Sequence, residues 1–160
     1  MGRKGFVIIL PICLVIILVG IPLTPSIVSL QDLQTASERI EINGTEYTLE
    51  TYLQRDFFPP SPPDGRPLVA LVKVKAPRET AISSKIDATR LWVVKGIEIW
   101  ETELASREGS TIGDTLEKVG WDGPKWEPGI SVDVVVRIVD LKSGKNYLLK
   151  ASNQAIHRTS

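Results

Sequence analysis

The chain has 160 residues, in which nineteen Lys and Arg balance nineteen Asp and Glu, with one His and one Cys. Its basic residues alternate with acidic ones, which argues against nucleic acid as a partner, because that binding needs a basic face to displace counterions from phosphates. The lone cysteine excludes an intrachain disulfide framework, so the fold must be held by core burial.

Residues 6–23 carry no charged or strongly polar side chain, and Arg3 and Lys4 precede them. About 20 apolar helical residues are needed to cross a bilayer core, so this run is just sufficient. Positive charge before the span predicts a cytoplasmic segment at 1–5, a transmembrane signal-anchor at 6–23 and export of everything from Thr24 onward. A removable signal has a shorter apolar region, of about 7–15 residues, ending in a small-x-small site. Ile27 lies behind Ser29, and Pro25 separates Thr24 from Ser26, so neither site suits a peptidase; secretion after cleavage is the alternative. Pro11 and Pro22 are tolerated in a span and predict a kink, and Cys13 reads as a buried apolar side chain.

Without Arg3 and Lys4 the exported part has seventeen basic and nineteen acidic residues, a formal charge of minus two. Residues 24–37 mix polar and scattered apolar side chains and read as a linker, leaving 38–160 as one extracytoplasmic domain. From there the periodicity is two. Ile40 and Ile42 alternate with Arg39 and Glu41, and Asn43-Gly44 is the pair that a type I′ turn favours. Ile42 is expected to pair with Thr45 and Ile40 with Tyr47, which places Ile40, Ile42, Tyr47 and Leu49 on one face. The odd positions continue through Thr51 and Leu53 to Phe57 and Phe58. Four prolines in residues 59–63 then rule out a strand.

Leu68 to Val74 suits a central strand. Leu91 to Trp100 predicts a second hairpin around Lys95-Gly96, with Val94 facing Ile97, Trp92 facing Ile99 and Trp92 central to the core. Residues 107–129 are expected to form a long loop. The alternation of Val132, Val134, Val136 and Ile138, the turn at 142–145 and the run from Asn146 to Ala151 predict a third hairpin. Together these predict an all-β domain: an antiparallel sandwich of about seven strands, immunoglobulin-like or fibronectin-like in architecture, after one transmembrane helix. A small β-barrel is the alternative.

The long loop contains the candidate ligand-binding residues. Trp121 and Trp126 would offer flat faces to a sugar ring, and Asp122 and Lys125 polar groups to its hydroxyls; the competing reading is that both rings cap the core. His157 lies three residues from the end, where chains fray unless tied down. With that single histidine and no exported cysteine, no metal site or cofactor is expected. Ser83 and Ser84 lack a catalytic base. Glu98, Glu101 or Asp122 would be the carboxylates of a glycoside hydrolase, although acids on a strand's outer face, such as Glu98, Glu101 and Glu103, usually serve solubility. Asp64, Asp87, Asp114 and Asp122 lack calcium-loop spacing. Asn43-Gly44-Thr45 matches a glycosylation acceptor.

The expected protein is a non-catalytic, membrane-anchored binding or assembly module on the outer side of the cell membrane. Its partners would be the membrane, through residues 6–23, and another envelope protein or a polysaccharide. A carbohydrate-binding module is the alternative, and a glycoside hydrolase a more distant one.

Overall fold

A computed structural model describes residues 27–78, 81, 82 and 85–160, with backbone only at 107–112. The expected transmembrane segment at 6–23, Cys13, and Ser83 and Ser84 lie outside the described residues. Among the described residues no helix is long and apolar enough to cross a membrane.

The domain is all-β. Among the described residues one short helix, α1 (Leu30–Thr35), precedes nine strands: β1 (Arg39–Ile42), β2 (Thr45–Asp56), β3 (Leu68–Lys75), β4 (Ile86–Lys95), β5 (Glu98–Glu103), β6 (Ala105–Ile112), β7 (Thr115–Gly123), β8 (Ser131–Asp140) and β9 (Asn146–Thr159). The strands form one hydrogen-bonded path, β5-β4-β8-β9-β2-β3-β7-β6, with β1 added to β2. The two ends of that path, β5 and β6, are consecutive in the chain and separated only by Leu104. Leu104 still donates its amide to Thr89 of β4, 3.0 Å away, while the next residue, Ala105, pairs with Val119 of β7. One bent stretch therefore carries the chain from one edge to the other, and the sheet nearly closes as a barrel.

β9 makes the second crossing. Its first part pairs antiparallel with β8, and a bulge between Val132 and Val134 shifts the register. Asn153 takes φ +55° there, its amide held by the Asp133 carboxylate at 2.9 Å. A bulge of this kind bends a strand. Ile156 to Thr159 then run parallel to Leu53 to Asp56 of β2. His157, expected near a fraying end, is thus tied into the sheet and stacks on Tyr52, ring centroids 4.8 Å apart.

The first hairpin has the expected register, Ile42 opposite Thr45 and Ile40 opposite Tyr47, because Asn43 and Gly44 both adopt positive φ. The second is displaced by one loop position. Val94 pairs with Ile99 and Trp92 with Glu101, so Gly96-Ile97 is the turn and glycine supplies positive φ at its first central position, as a type II′ geometry requires. Leu91 and Val93 therefore face the main core, which they share with Leu53, Val72, Val134, Val136 and Ile138.

Trp92, expected in that core, lies on the opposite face of β4. There it forms a separate apolar cluster with Val94, Val135 and Leu33 of α1, with Val28, Leu30, Ala36 and Leu148 packed around it. The segment read as a linker supplies this cover: Leu33 is 1% exposed. Ser29 starts the helix with a capping box, its hydroxyl accepting from the Asp32 amide while the Asp32 carboxylate accepts from the Ser29 amide. Ser29→Ala is expected to cost about 1 kcal/mol, seen as a lowered denaturation midpoint with an unchanged slope.

The long loop expected at 107–129 is largely a fourth hairpin, β6 to β7, turning at Gly113-Asp114 with Gly113 at φ +56°.

Candidate functional site

The inward-facing series of β2 runs Tyr47, Leu49, Thr51, Leu53 and ends on Arg55; that of β8 runs Val132, Val134, Val136, Ile138 and ends on Asp140. Each series reaches one end of the barrel with a charged residue that is only 2% exposed. Buried charges need hydrogen-bonded partners, and each of these two organises the loops around it.

Arg55 binds carbonyls from both loops at its end. Its Nε donates to Arg66 O (3.0 Å), its Nη1 to Lys125 O (2.9 Å) and Trp126 O (3.1 Å), and its Nη2 to Asp64 O. Five donors in a planar fork suit this task as a lysine would not. Phe57 lies between Arg55 and Arg158, whose guanidinium carbons are 5.1 Å and 3.9 Å from its ring centroid. The proline-rich loop 57–67 and the loop 124–130 are thereby held as one rigid end. Lys125 reinforces the join through an ion pair with Asp64 at 2.6 Å, and that hydrogen bond holds the Asp64 carboxyl below its ordinary pKa.

Of the four candidate ligand residues, Lys125 and Trp126 are brought to this junction. Trp126 packs against the main core, donates its indole N–H to Glu98 Oε2 at 2.9 Å, and has the Lys95 ammonium 5.4 Å from its ring centroid. Trp121 and Asp122 occupy a bulge of β7, between Gly120 opposite Ala70 and Gly123 opposite Leu68. Asp122 has φ +62°, and Trp121 is 52% exposed. One tryptophan is thus fastened to the barrel and the other projects from it. Further exposed apolar side chains, Phe58 and Ile97, lie on loops at this same end.

Most of the acids considered for catalysis or calcium have other partners. Glu101 and Glu103 both pair with Arg90, at 2.7 and 3.2 Å, which raises the Arg90 pKa, chiefly through the Glu101 hydrogen bond. Asp87 pairs with the buried Lys118 at 2.8 Å, and Asp114 accepts from the Thr115 hydroxyl. Among the described residues no three His, Cys, Asp or Glu side chains gather as a metal site.

At the opposite end Asp140 accepts from the Ser143 hydroxyl (2.5 Å), the Lys142 amide (3.1 Å) and Asn43 Nδ2 (3.3 Å). It ties the β8–β9 turn to the β1–β2 turn. The Ser143 hydrogen bond, followed by the Lys142 amide, lowers the Asp140 pKa. A carboxyl with a folded-state pKa below its unfolded value stabilises above the unfolded value and loses that contribution as pH falls through the folded one. Asp140→Asn is therefore expected to be less stable than the parent at pH 7 and to show a flatter loss of melting temperature below about pH 4. Parallel acid profiles for the two proteins would remove Asp140 from this role. The same contact occupies the Asn43 amide nitrogen, the atom that glycosylation would modify.

A cavity of about 400 Å³ opens beside Asp140, lined by Ile42, Asn43, Thr45, Tyr47, Lys85, Ile86, Asp140 and Lys142. Burial raises the Tyr47 phenol pKa; the Thr45 hydrogen bond opposes this and the Asp140 charge adds to it. The inward alternation of β2 and β8 could have flagged both Arg55 and Asp140, each the next inward position after a largely apolar series; nothing in the sequence joins Asn43, Lys85 and Lys142.

No protein-family model, curated protein or solved structure matches this chain.

Proposed function

We propose that this chain is a membrane-anchored, extracytoplasmic binding or assembly module that engages another envelope protein through the Arg55 end of its barrel, without catalysing a reaction. The observation that carries this reading is the pairing of rigidity with exposed apolar groups. Arg55 fixes two loops through four carbonyls, and Trp121, Phe58 and Ile97 stand exposed at that end. Loops held on a stiff scaffold are common recognition surfaces, and aromatic anchors dominate such contacts because they order little on binding. The sandwich architecture belongs to this proposal: β5-β4-β8-β9 and β2-β3-β7-β6, successive stretches of the one strand path, would be its two facing halves.

A photo-crosslinking residue at Phe58, Ile97 or Trp121 of the anchored full-length protein tests the reading. A discrete adduct is expected in native membranes, lost when a second of these residues is changed to Asp. Absence of any adduct above that from a control site on the outer face of β8 would refute it. Trp121→Ala should leave the melting temperature nearly unchanged, whereas Trp126→Ala should lower it, because only Trp126 packs on the core.

The half-exposed Trp121 beside Asp122 favours carbohydrate as a second reading, since an indole face of this kind stacks on sugar rings. It predicts a change in tryptophan fluorescence with a cell-wall polysaccharide, abolished in Trp121→Ala; no response across a broad glycan panel removes it.

A further inference from the structure

We infer that the cavity beside Asp140 is a binding site for a small monoanionic amphiphile, a carboxylate on a short apolar body. The site lies at the end of the barrel opposite the loops of the proposed interface, because β2 runs from Thr45 at the cavity to Arg55 at those loops, so either assignment stands or falls alone. At about 400 Å³ the cavity falls within the range of ligand pockets and is far larger than the roughly 30 Å³ that one water occupies in the liquid. Its walls are mixed in a particular way. Ile42 and Ile86 are buried side chains of the main core, and with the Tyr47 ring they give an apolar lining.

The charges settle the sign of the ligand. Asp140 is the cavity's only carboxylate among the described residues, and its oxygens already accept from Asn43, Lys142 and Ser143. Those three hydrogen bonds commit it to joining the two turns, with about one of its four acceptor sites left. Lys85 and Lys142 contribute two ammonium groups, neither of which has a carboxylate within 4 Å among the described residues. Among the described residues, two positive charges without a carboxylate partner against one negative charge held by three hydrogen bonds leave a formal surplus of one, which matches a monoanion better than a dianion. A charge-assisted contact from flexible lysines gives attraction without fixed geometry, and the Thr45 and Tyr47 hydroxyls add neutral hydrogen-bonding capacity inside.

The test uses full-length protein in zwitterionic nanodiscs, followed by ¹H–¹⁵N spectra, with hexanoate as the probe and hexanamide as its uncharged counterpart. Hexanoate is expected to shift the Asn43 side-chain amide and the Thr45 and Lys142 backbone amides saturably, at concentrations around 1 mM, with hexanamide about tenfold weaker. Lys85→Gln with Lys142→Gln should weaken hexanoate about tenfold and leave the melting temperature in place, since both lysines are exposed. Three results would overturn the assignment: no saturable shift up to about 10 mM, equal binding of hexanamide, or hexanoate affinity unchanged in the double variant.

Discussion

Arg55→Met is expected to lower stability by about 3–4 kcal/mol and the melting temperature by roughly 10–15 °C, the largest effect of any single substitution at a polar residue of this domain. The guanidinium is buried and donates to the carbonyls of Asp64, Arg66, Lys125 and Trp126. Hydrogen bonds to a charged group contribute about 1.5–3 kcal/mol each, and carbonyls left unpaired in a dry site add a desolvation penalty. The sum is less than four full bonds because the two loops can open and recover water. Arg55→Lys keeps the charge but cannot reach two loops at once, so it should recover less than half of the loss. Amide hydrogen exchange should quicken in 57–67 and 124–130 and stay slow in β3. A loss below about 1 kcal/mol would mean that the loops hold themselves.

The second large effect is expected at the seam where the sheet closes. A Cβ at Gly123 would stand 2.8 Å from Trp100 Cζ3 and 2.9 Å from Leu68 Cβ. The first neighbour is a large ring and the second is fixed to the backbone, so neither yields easily. Gly123→Ala should cost about 2–3 kcal/mol by overpacking. At Gly120 the nearest atoms are Leu91 Cδ2 at 2.7 Å and Thr102 Cγ2 at 3.0 Å, both side-chain tips that can turn away, and about 1 kcal/mol is expected there. Trp100→Leu in the Gly123→Ala background should restore part of the loss, a coupling that independent sites would not show. Denaturant unfolding of the four proteins measures it.

What the sequence shows best is what local chemistry dictates. Asn43-Gly44 fixes both turn conformers, and the β1–β2 register follows without tertiary help. Gly96-Ile97 and Gly113-Asp114 each place glycine first, a signal as local as the first; centring the turn on Lys95-Gly96 displaced one hairpin, and reading 107–129 as a loop hid the other. The run Leu91-Trp92-Val93-Val94 is apolar on both faces of β4, so alternation cannot say which side is the core. The answer lies in Leu33, on a helix too short to announce itself by periodicity. The site was legible only in part: Trp121 and Trp126 stand out by type, yet their different fates depend on a bulge and on Glu98. Arg55 and Asp140 went unread although they end largely apolar series, and their carbonyl and turn partners come from other segments of the chain.

The whole account rests on β5 and β6 bringing the two edges of the sheet together over Gly120 and Gly123. Nuclear Overhauser spectra of the full-length protein test this directly. Cross-peaks between the Trp100 indole protons and the Gly123 α-protons, and between Leu91 methyls and Gly120, are the expected result. A Trp100 ring with no contact to Gly123, and Leu91 methyls with no contact to Gly120, would contradict the near-closure of the sheet and the rigid loop end built on it.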